Sequence, residues 1–147
     1  MIKAGYKSNF NFPKIIIRDD LKYIAEKIVV PVMQKNIDAE RALDGSPQTP
    51  IEDKTVTAKI RKGYSPKILT ETGTLRTAFV ISEVSDSKIK ISLNSKRKDI
   101  GRFLQLEGIR SKKGRKFFNF FGISTIMEKN AVAYMKKRIK DILKNGK

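Results

Sequence analysis

The sequence predicts an α+β fold, with a small antiparallel β-sheet packed against a long N-terminal helix and a C-terminal helix. Apolar residues recur at helical spacing near both ends of the chain. Between them, two short segments alternate apolar and polar residues around a polar turn, which is the pattern of a half-buried hairpin. A chain of 147 residues has the size of one domain, so we expect residues 1–147 to share one core.

The first helix is predicted over residues 19–36. Asp19 and Asp20 lie where carboxylates favour a helix N-terminus, and apolar residues follow at helical spacing: Leu21, Ile24, Ala25, Ile28 and Val32. Pro31 lies inside this pattern, so we expect a kink or a break near Ile28. Residues 1–13, ahead of the helix, predict an ordered N-terminal arm.

A long extended loop is predicted over residues 38–67, between the first helix and the hairpin. Apolar periodicity is lost there, and Asp44-Gly45-Ser46-Pro47 has the composition of a turn. Some helix is expected across residues 52–60. A loop of this length in a compact domain is typical of a functional or partner-ordered segment, and the alternative is a flexible insertion.

The hairpin follows a glycine-centred turn at Gly73. Phe79 and Ile81 are predicted to share one face of the first strand, and Ile89, Ile91 and Leu93 share one face of the second. Ser85-Asp86-Ser87 supplies the turn between them. Residues 117–123 or 14–18 are candidates for a further strand that completes the sheet.

A short helix is predicted after the hairpin. Asp99 is expected to cap it, Ile100, Phe103 and Leu104 share a face, and Gly108 ends it. The basic segment 110–116 is expected to be exposed. The phenylalanines that follow it are expected in the core: Phe117, Phe118, Phe120 and Phe121.

The C-terminal helix is predicted over residues 126–144, with Thr125 and Glu128 as a capping box. Its buried stripe is expected to contain Met127, Ala131, Tyr134, Met135, Ile139 and Ile142. Five basic residues are expected to face solvent near its end: Lys136, Lys137, Arg138, Lys140 and Lys144.

The net charge predicts a polyanionic partner or environment. The chain has 32 Lys+Arg against 15 Asp+Glu, a net charge of +17. From residue 86 onward there are 18 basic and 5 acidic residues, so this part carries +13 of the total. Such a field attracts phosphate-rich surfaces in a salt-dependent way. The alternative interpretation is that these lysines only solvate the protein.

Catalytic chemistry has little support in the sequence. The absence of histidine and cysteine removes the common general base, the thiol nucleophile and the usual transition-metal ligands, and it fits a reducing cytoplasm. No phosphate-binding glycine motif occurs. We therefore expect no enzyme activity, no cofactor and no metal site. No apolar run approaches the roughly 20 residues of a membrane span, so we expect no membrane association.

Several segments, taken in order, resemble the virion morphogenesis (tail completion) family of tailed phages. The resemblance spans roughly residues 19–145 and rests on the order of these pieces: the Asp44-Gly45 loop, the Thr/Pro segment, Lys59 to Gly63, Ile68 to Phe79 with Gly73, Leu75 and Arg76, the hairpin, Phe103 to Gly108, Gly114 to Phe118 with Arg115 and Phe117, Gly122-Ile123-Ser124, and the terminal helix. Two positions depart from the family pattern. A histidine is missing ahead of Gly108, and Lys116 stands where the family usually has proline.

The resemblance implies a non-enzymatic structural protein at the head–tail junction of the virion, assembled in the host cytoplasm. It implies a ring of identical copies, expected to be a hexamer, in contact with other neck, connector or tail proteins. Head closure, tail terminator and tail completion roles stay open. In such a ring, genomic DNA in the lumen would meet basic side chains, for which the candidates are Lys96, Arg97, Lys98, Arg110, Lys112, Lys113, Arg115 and Lys116.

Two other functions stay open at this point. One is a small nucleic-acid-binding protein that acts through non-specific phosphate contacts, since no zinc-finger, RNP-type or GXXG motif for base readout is present. The other is an inhibitor or similar small interaction protein that forms a one-to-one complex with a host protein.

Overall fold

The fold is α+β, as predicted, and it contains two small antiparallel sheets of two strands each. The computed structural model describes residues 18–70, 72–85, 88–111 and 113–145. The predicted arm at residues 1–13 lies outside these residues, as does all of the candidate strand at 14–18 except Arg18, which begins a helix. The remaining predictions can be compared with the structure.

Helix α1 covers residues 18–38 in three consecutive parts: α-helical Arg18–Tyr23, π-helical Ile24–Val29 and α-helical Val30–Asp38. The irregularity predicted near Ile28 is therefore a π-helical segment, and the helix continues through it without a break. The Val30 N–H donates to the Ala25 carbonyl, and Pro31 follows in the first turn of the third part, where a missing N–H is tolerated.

The core-facing stripe of α1 contains Ala25, Val29, Met33 and Ile37, all at most 6% exposed. Of the predicted apolar positions, Ala25 is in this buried set, while Leu21, Ile24, Ile28 and Val32 are only half-buried. Sequence periodicity thus predicted the helix and approximately which side faces the core. It did not predict the π-helical segment, whose wider turn changes which residues point inward.

Residues 39–67 are ordered largely by contacts with the rest of the chain. The Asp44 carboxylate accepts hydrogen bonds from the Ser46 N–H (2.9 Å) and hydroxyl (2.6 Å), which lower the pKa of Asp44 and confirm the predicted turn. Buried Gln48 donates to the Asn119 carbonyl at 3.3 Å. The helix expected near residues 52–60 is confirmed as α2, Asp53–Arg61, which has no buried residue.

The predicted hairpin is confirmed, with strands β1 (Phe79–Val84) and β2 (Ile89–Leu93). Phe79 pairs with Leu93, and Ile81 pairs with Ile91. The register shifts between Ile81 and Glu83, and this bulge brings Val84 opposite Ile89. The Ser85 N–H donates to the Lys88 carbonyl at 2.8 Å across the turn, while Asp86 and Ser87 lie outside the described residues.

Helix α3 follows the hairpin, with α-helical Lys98–Arg102 and π-helical Phe103–Glu107. Its N-cap is Arg97, so the prediction that Asp99 caps it is wrong, and Asp99 lies in the first turn. Gly108, at φ 73°, ends the helix as predicted. Strands β3 (Ile109–Ser111) and β4 (Gly114–Lys116) then form a second hairpin that the sequence did not predict.

Residues 117–123 form no strand, which corrects one of the two candidates for completing the sheet. Their backbone is bonded elsewhere: the Phe118 N–H donates to the Leu104 carbonyl at 3.0 Å, and the Asn119 carbonyl accepts from the Leu43 N–H at 3.0 Å. Phe118, Phe120 and Phe121 are buried as predicted. Phe117 is 48% exposed, so its predicted place in the core is wrong.

The C-terminal helix α4 covers Thr125–Asn145. The predicted capping box is wrong, because the cap is Ser124, whose hydroxyl accepts from the Met127 N–H at 3.4 Å. Met127 and Met135 are buried, and the other residues of the predicted stripe are half-buried. One core joins α1, the first hairpin, residues 118–121 and the start of α4.

Candidate functional surface

The second hairpin carries five of the eight predicted DNA-facing residues. Arg110 and Arg115 are directly opposite each other in the β3–β4 pairing, and both are exposed. Like charges in this relationship repel each other, so the pair is better stabilised when an anion lies beside it. The Arg115 guanidinium donates to the Glu107 carbonyl at 2.8 Å, which leaves its positive charge without compensation by that partner.

The other basic residues of this hairpin differ in their exposure. Lys113 is exposed, and Lys116 is half-buried with its ammonium group donating to the Pro50 carbonyl at 2.9 Å. Lys112 lies outside the described residues. The hairpin therefore presents Arg110, Lys113 and Arg115 as its exposed cations among the described residues.

A second basic group lies at the other end of α3. Lys96 and Lys98 are exposed, while Arg97 is half-buried. Asn94 forms this turn by accepting hydrogen bonds from the Arg97 N–H through its side chain (3.2 Å) and its carbonyl (3.0 Å). Helix α3 begins at this group and ends just before the second hairpin. The predicted residues thus fall into two patches, one at each end of α3.

Exposed apolar side chains are concentrated between these basic patches. Five of the eleven exposed large hydrophobic residues in the described part of the chain lie on α3, the second hairpin and the residue after it. We call this set the α3–hairpin surface; it contains Ile100 (42% exposed), Phe103 (45%), Leu106 (59%), Ile109 (38%) and Phe117 (48%). Sequence reasoning missed it because a helical apolar face is expected to pack inward.

The geometry of Gly108 explains why glycine and Phe117 occur together in this surface. A Cβ atom at position 108 would lie 2.9 Å from the Lys116 carbonyl oxygen and 3.0 Å from a Phe117 ring carbon. With its positive φ as well, the position requires glycine. Gly108 and Phe117 are therefore a packing pair that shapes the surface.

Three residues of the family resemblance that precede the first hairpin, Gly73, Leu75 and Arg76, have structural roles. Gly73 has φ 76° with no atom near its would-be Cβ, so its backbone conformation alone favours glycine. Leu75 is 7% exposed and belongs to the core. The Arg76 Nε atom lies 2.7 and 2.8 Å from the two Asp38 carboxylate oxygens, which ties the segment before β1 to the last residue of α1.

A buried polar cluster joins α1 to α4. One oxygen of the Asp20 carboxylate, in a residue only 3% exposed, accepts from the Tyr134 hydroxyl (2.8 Å) and from Arg138 Nε (3.2 Å). Burial raises the pKa of Tyr134 to about 12, and the Asp20 hydrogen bond adds to this rise. Arg138 was predicted to face solvent, and this is corrected by its pairing with Asp20. The cluster fastens α1 to α4.

Among the described residues, no group of three or more carboxylates comes together as a metal site. No helix in that part of the chain is long and apolar enough to cross a membrane.

Comparisons with family models, with curated proteins and with solved structures return no match for this chain.

Proposed function

We propose that this protein is a non-enzymatic structural subunit of the head–tail junction of a tailed phage. It assembles with copies of itself into a ring, expected to be a hexamer, around the passage for DNA. Its other partners are neck, connector or tail proteins of the virion, which it joins after synthesis in the host cytoplasm.

The observation that carries this proposal is the α3–hairpin surface. Large apolar side chains that are exposed close together along the chain are candidates for an interaction site. Leu106 and Phe103 have the size and exposure of residues at the centre of a protein interface, and Arg102, Arg110 and Arg115 supply a polar rim. Neither an enzyme active site nor a site for a single peptide requires exposed apolar residues with arginines around them.

The location of this surface links it to the family resemblance. Among the residues that carry the resemblance, Gly108, Arg115 and Phe117 lie in or beside this surface, whereas Gly73, Leu75 and Arg76 shape the fold. A closed ring needs a heterologous contact, in which two different surfaces of each subunit meet. The second surface is expected to be the exposed helix α2, which lies in the loop predicted to be a functional or partner-ordered segment.

Light scattering coupled to size-exclusion chromatography, with negative-stain electron microscopy of the same fractions, tests the proposal. The wild type is expected to form a discrete ring as its concentration rises. Leu106→Glu places a charge in the α3–hairpin surface and is expected to leave a folded monomer. Asn130→Asp is the matched control, since it adds one negative charge at an exposed position of α4, outside both proposed contacts.

Two results would count against the proposal. In one, the wild type stays monomeric at every concentration and also when it is mixed with candidate neck and tail proteins. In the other, Leu106→Glu and Asn130→Asp reduce assembly equally, which would show a general effect of charge.

A second function is favoured by the Arg110–Arg115 pair, which is the binding of nucleic acid through phosphates alone. It predicts a monomer whose affinity for duplex DNA falls steeply with salt and does not depend on sequence. Fluorescence anisotropy with two unrelated duplexes separates it from the ring proposal. Salt-sensitive binding by a protein that never assembles would favour this second function.

A further inference from the structure

The last two turns of α4 form a surface that neither the core nor the α3–hairpin surface uses. A shallow, open depression of about 400 Å³ lies along this part of the helix, lined by Lys136, Ile139, Lys140, Leu143 and Lys144. Leu143 is 71% exposed, the largest exposure among the exposed large hydrophobic residues in the described part of the chain. We call this feature the α4 groove.

Helix geometry places the groove away from the core. At about 100° per residue, Lys136, Ile139 and Leu143 lie on one side of the helix and Arg138 lies on the opposite side, while Met135, four residues before Ile139, lies at the edge between them. Met135 is 3% exposed, and Arg138 pairs with buried Asp20. The core side of α4 is therefore fixed by packing and by an ion pair, so the side that contains the α4 groove faces outward.

We propose that the α4 groove docks an acidic amphipathic helix of another protein. Ile139 and Leu143 provide an apolar floor one turn apart, which matches the spacing of anchor residues on a docked helix. The three lysines flank this floor with long hydrocarbon stems that are easily buried while their ammonium groups stay in water. Carboxylates beside the anchors of the partner would meet these ammonium groups.

Charge decides what kind of partner fits. Between residues 136 and 144 there are five basic residues and one acidic residue, Asp141, and the charge of Arg138 is already paired with Asp20. A basic or neutral helix would bring no negative charge to balance the positive charges of the lysines. A nucleic acid would satisfy the lysines but would gain nothing from Ile139 and Leu143, because phosphates and sugars do not bury apolar side chains. An acidic helix with apolar anchors uses both features.

The experiment measures binding of a synthetic helical peptide to the full chain by fluorescence anisotropy. The peptide carries two leucines at a spacing of four, flanked by glutamates, and a second peptide has the leucines replaced by alanines at the same charge. We expect the leucine peptide to bind at least tenfold more tightly than the alanine peptide. Leu143→Ala is expected to reduce its binding by about tenfold.

The charge contribution is tested with a matched pair of variants. Lys140→Glu lies in the α4 groove and is expected to weaken the leucine peptide at least fivefold more than Lys137→Glu, which makes the same charge change at an exposed position outside the groove lining. Circular dichroism of each variant establishes that it is folded. These variants lie outside the α3–hairpin surface, so ring assembly is expected to be unchanged and serves as an independent readout.

Four outcomes would overturn the proposal. Equal binding of the two peptides would mean attraction by charge alone. Equal effects of Lys140→Glu and Lys137→Glu would mean that the groove has no special part. Loss of self-association in Leu143→Ala would identify a second copy of this chain as the occupant. Binding of anionic phospholipid vesicles or duplex DNA that depends on Leu143, without binding of the leucine peptide, would identify a different ligand class.

Discussion

The Gln105 side-chain amide makes two hydrogen bonds with the backbone of a single residue, Phe121. Its nitrogen donates to the Phe121 carbonyl at 2.7 Å, and its oxygen accepts from the Phe121 N–H at 3.0 Å. Phe121 is 3% exposed, so both backbone groups depend on this amide. Gln105 therefore supplies the hydrogen-bond partners of the Phe121 backbone, within the segment that was predicted to be a strand.

Replacing Gln105 with leucine is expected to lower the free energy of unfolding by about 1–3 kcal/mol, because a buried N–H and a buried carbonyl lose their partners. Urea denaturation followed by circular dichroism measures this change, with an unchanged m-value indicating that the unfolded state is unaffected. Gln34→Leu is the control, since Gln34 makes one bond, to the Arg76 carbonyl at 3.2 Å. Equal losses in the two variants would contradict the special role of Gln105.

Gly101→Ala is expected to destabilise the protein although alanine favours helices. A Cβ atom at position 101 would overlap a methyl group of Leu93, a residue only 6% exposed. Overpacking of this kind typically costs about 1–3 kcal/mol, more than the helix propensity of alanine returns. A lower thermal midpoint in Gly101→Ala is the expected measurement.

The cause is tested by relieving the overlap. Adding Leu93→Ala to Gly101→Ala is expected to cost less than the sum of the two single changes, because the second change removes the atom that the new Cβ meets. Gly73→Ala is the contrasting control. It has open space around it, so it is destabilised only by its backbone φ of 76°, and it is expected to add independently to Leu93→Ala.

The fold was largely predictable because its elements have simple periodicities. The first hairpin follows from the alternation of Ile89, Ile91 and Leu93, and α4 follows from the spacing of Met127 and Met135. Boundary details were less predictable. Ser124 and Thr125 are both good caps by composition, and only the path of the backbone decides which hydroxyl reaches the free N–H groups.

The positive charge of the candidate site was predictable from the sequence, but the arrangement of its residues was not. The count of lysines and arginines indicated the exposed cations, but their division into two patches depends on α3 lying between them. Phe117 was expected in the core because aromatic residues usually pack inward. Its exposure depends on where neighbouring elements end, and periodicity does not contain that information.

Stability is expected to fall at alkaline pH through the ionisation of Tyr134. Its pKa is raised from the usual 10.0 to about 12 in the folded protein, so folding favours the neutral phenol. This contribution is fully present below pH 10 and is lost as the pH rises from about 10 to about 12. Urea denaturation across this range is expected to show a smaller decline for Tyr134→Phe than for the wild type.

Tyr64→Phe provides the comparison, because it removes one tyrosine hydroxyl from an exposed position. Ultraviolet absorbance of tyrosinate gives a direct check. Tyr134→Phe is expected to remove the part of the titration that occurs at the highest pH. If the two variants lose the same part of the curve, the hydrogen bond to Asp20 does not hold the proton on Tyr134.

Arg110→Glu is expected to affect stability and DNA binding in opposite directions. Glutamate would face Arg115 across the β3–β4 pair, replacing a like-charge contact with an opposite-charge one, which stabilises such pairs by a few tenths of a kcal/mol. The same change removes a cation that is proposed to contact phosphate. The affinity for duplex DNA is therefore expected to fall, and the slope of log K against log salt is expected to decrease by about one.

Lys62→Glu, with the same charge change at an exposed position after α2, is the control for net charge. Thermal denaturation and anisotropy titrations at several salt concentrations measure the two effects. A stability loss in Arg110→Glu would show that repulsion between Arg110 and Arg115 does not destabilise the hairpin. An equal loss of DNA affinity in Lys62→Glu would show that Arg110 is not a specific contact for an anion.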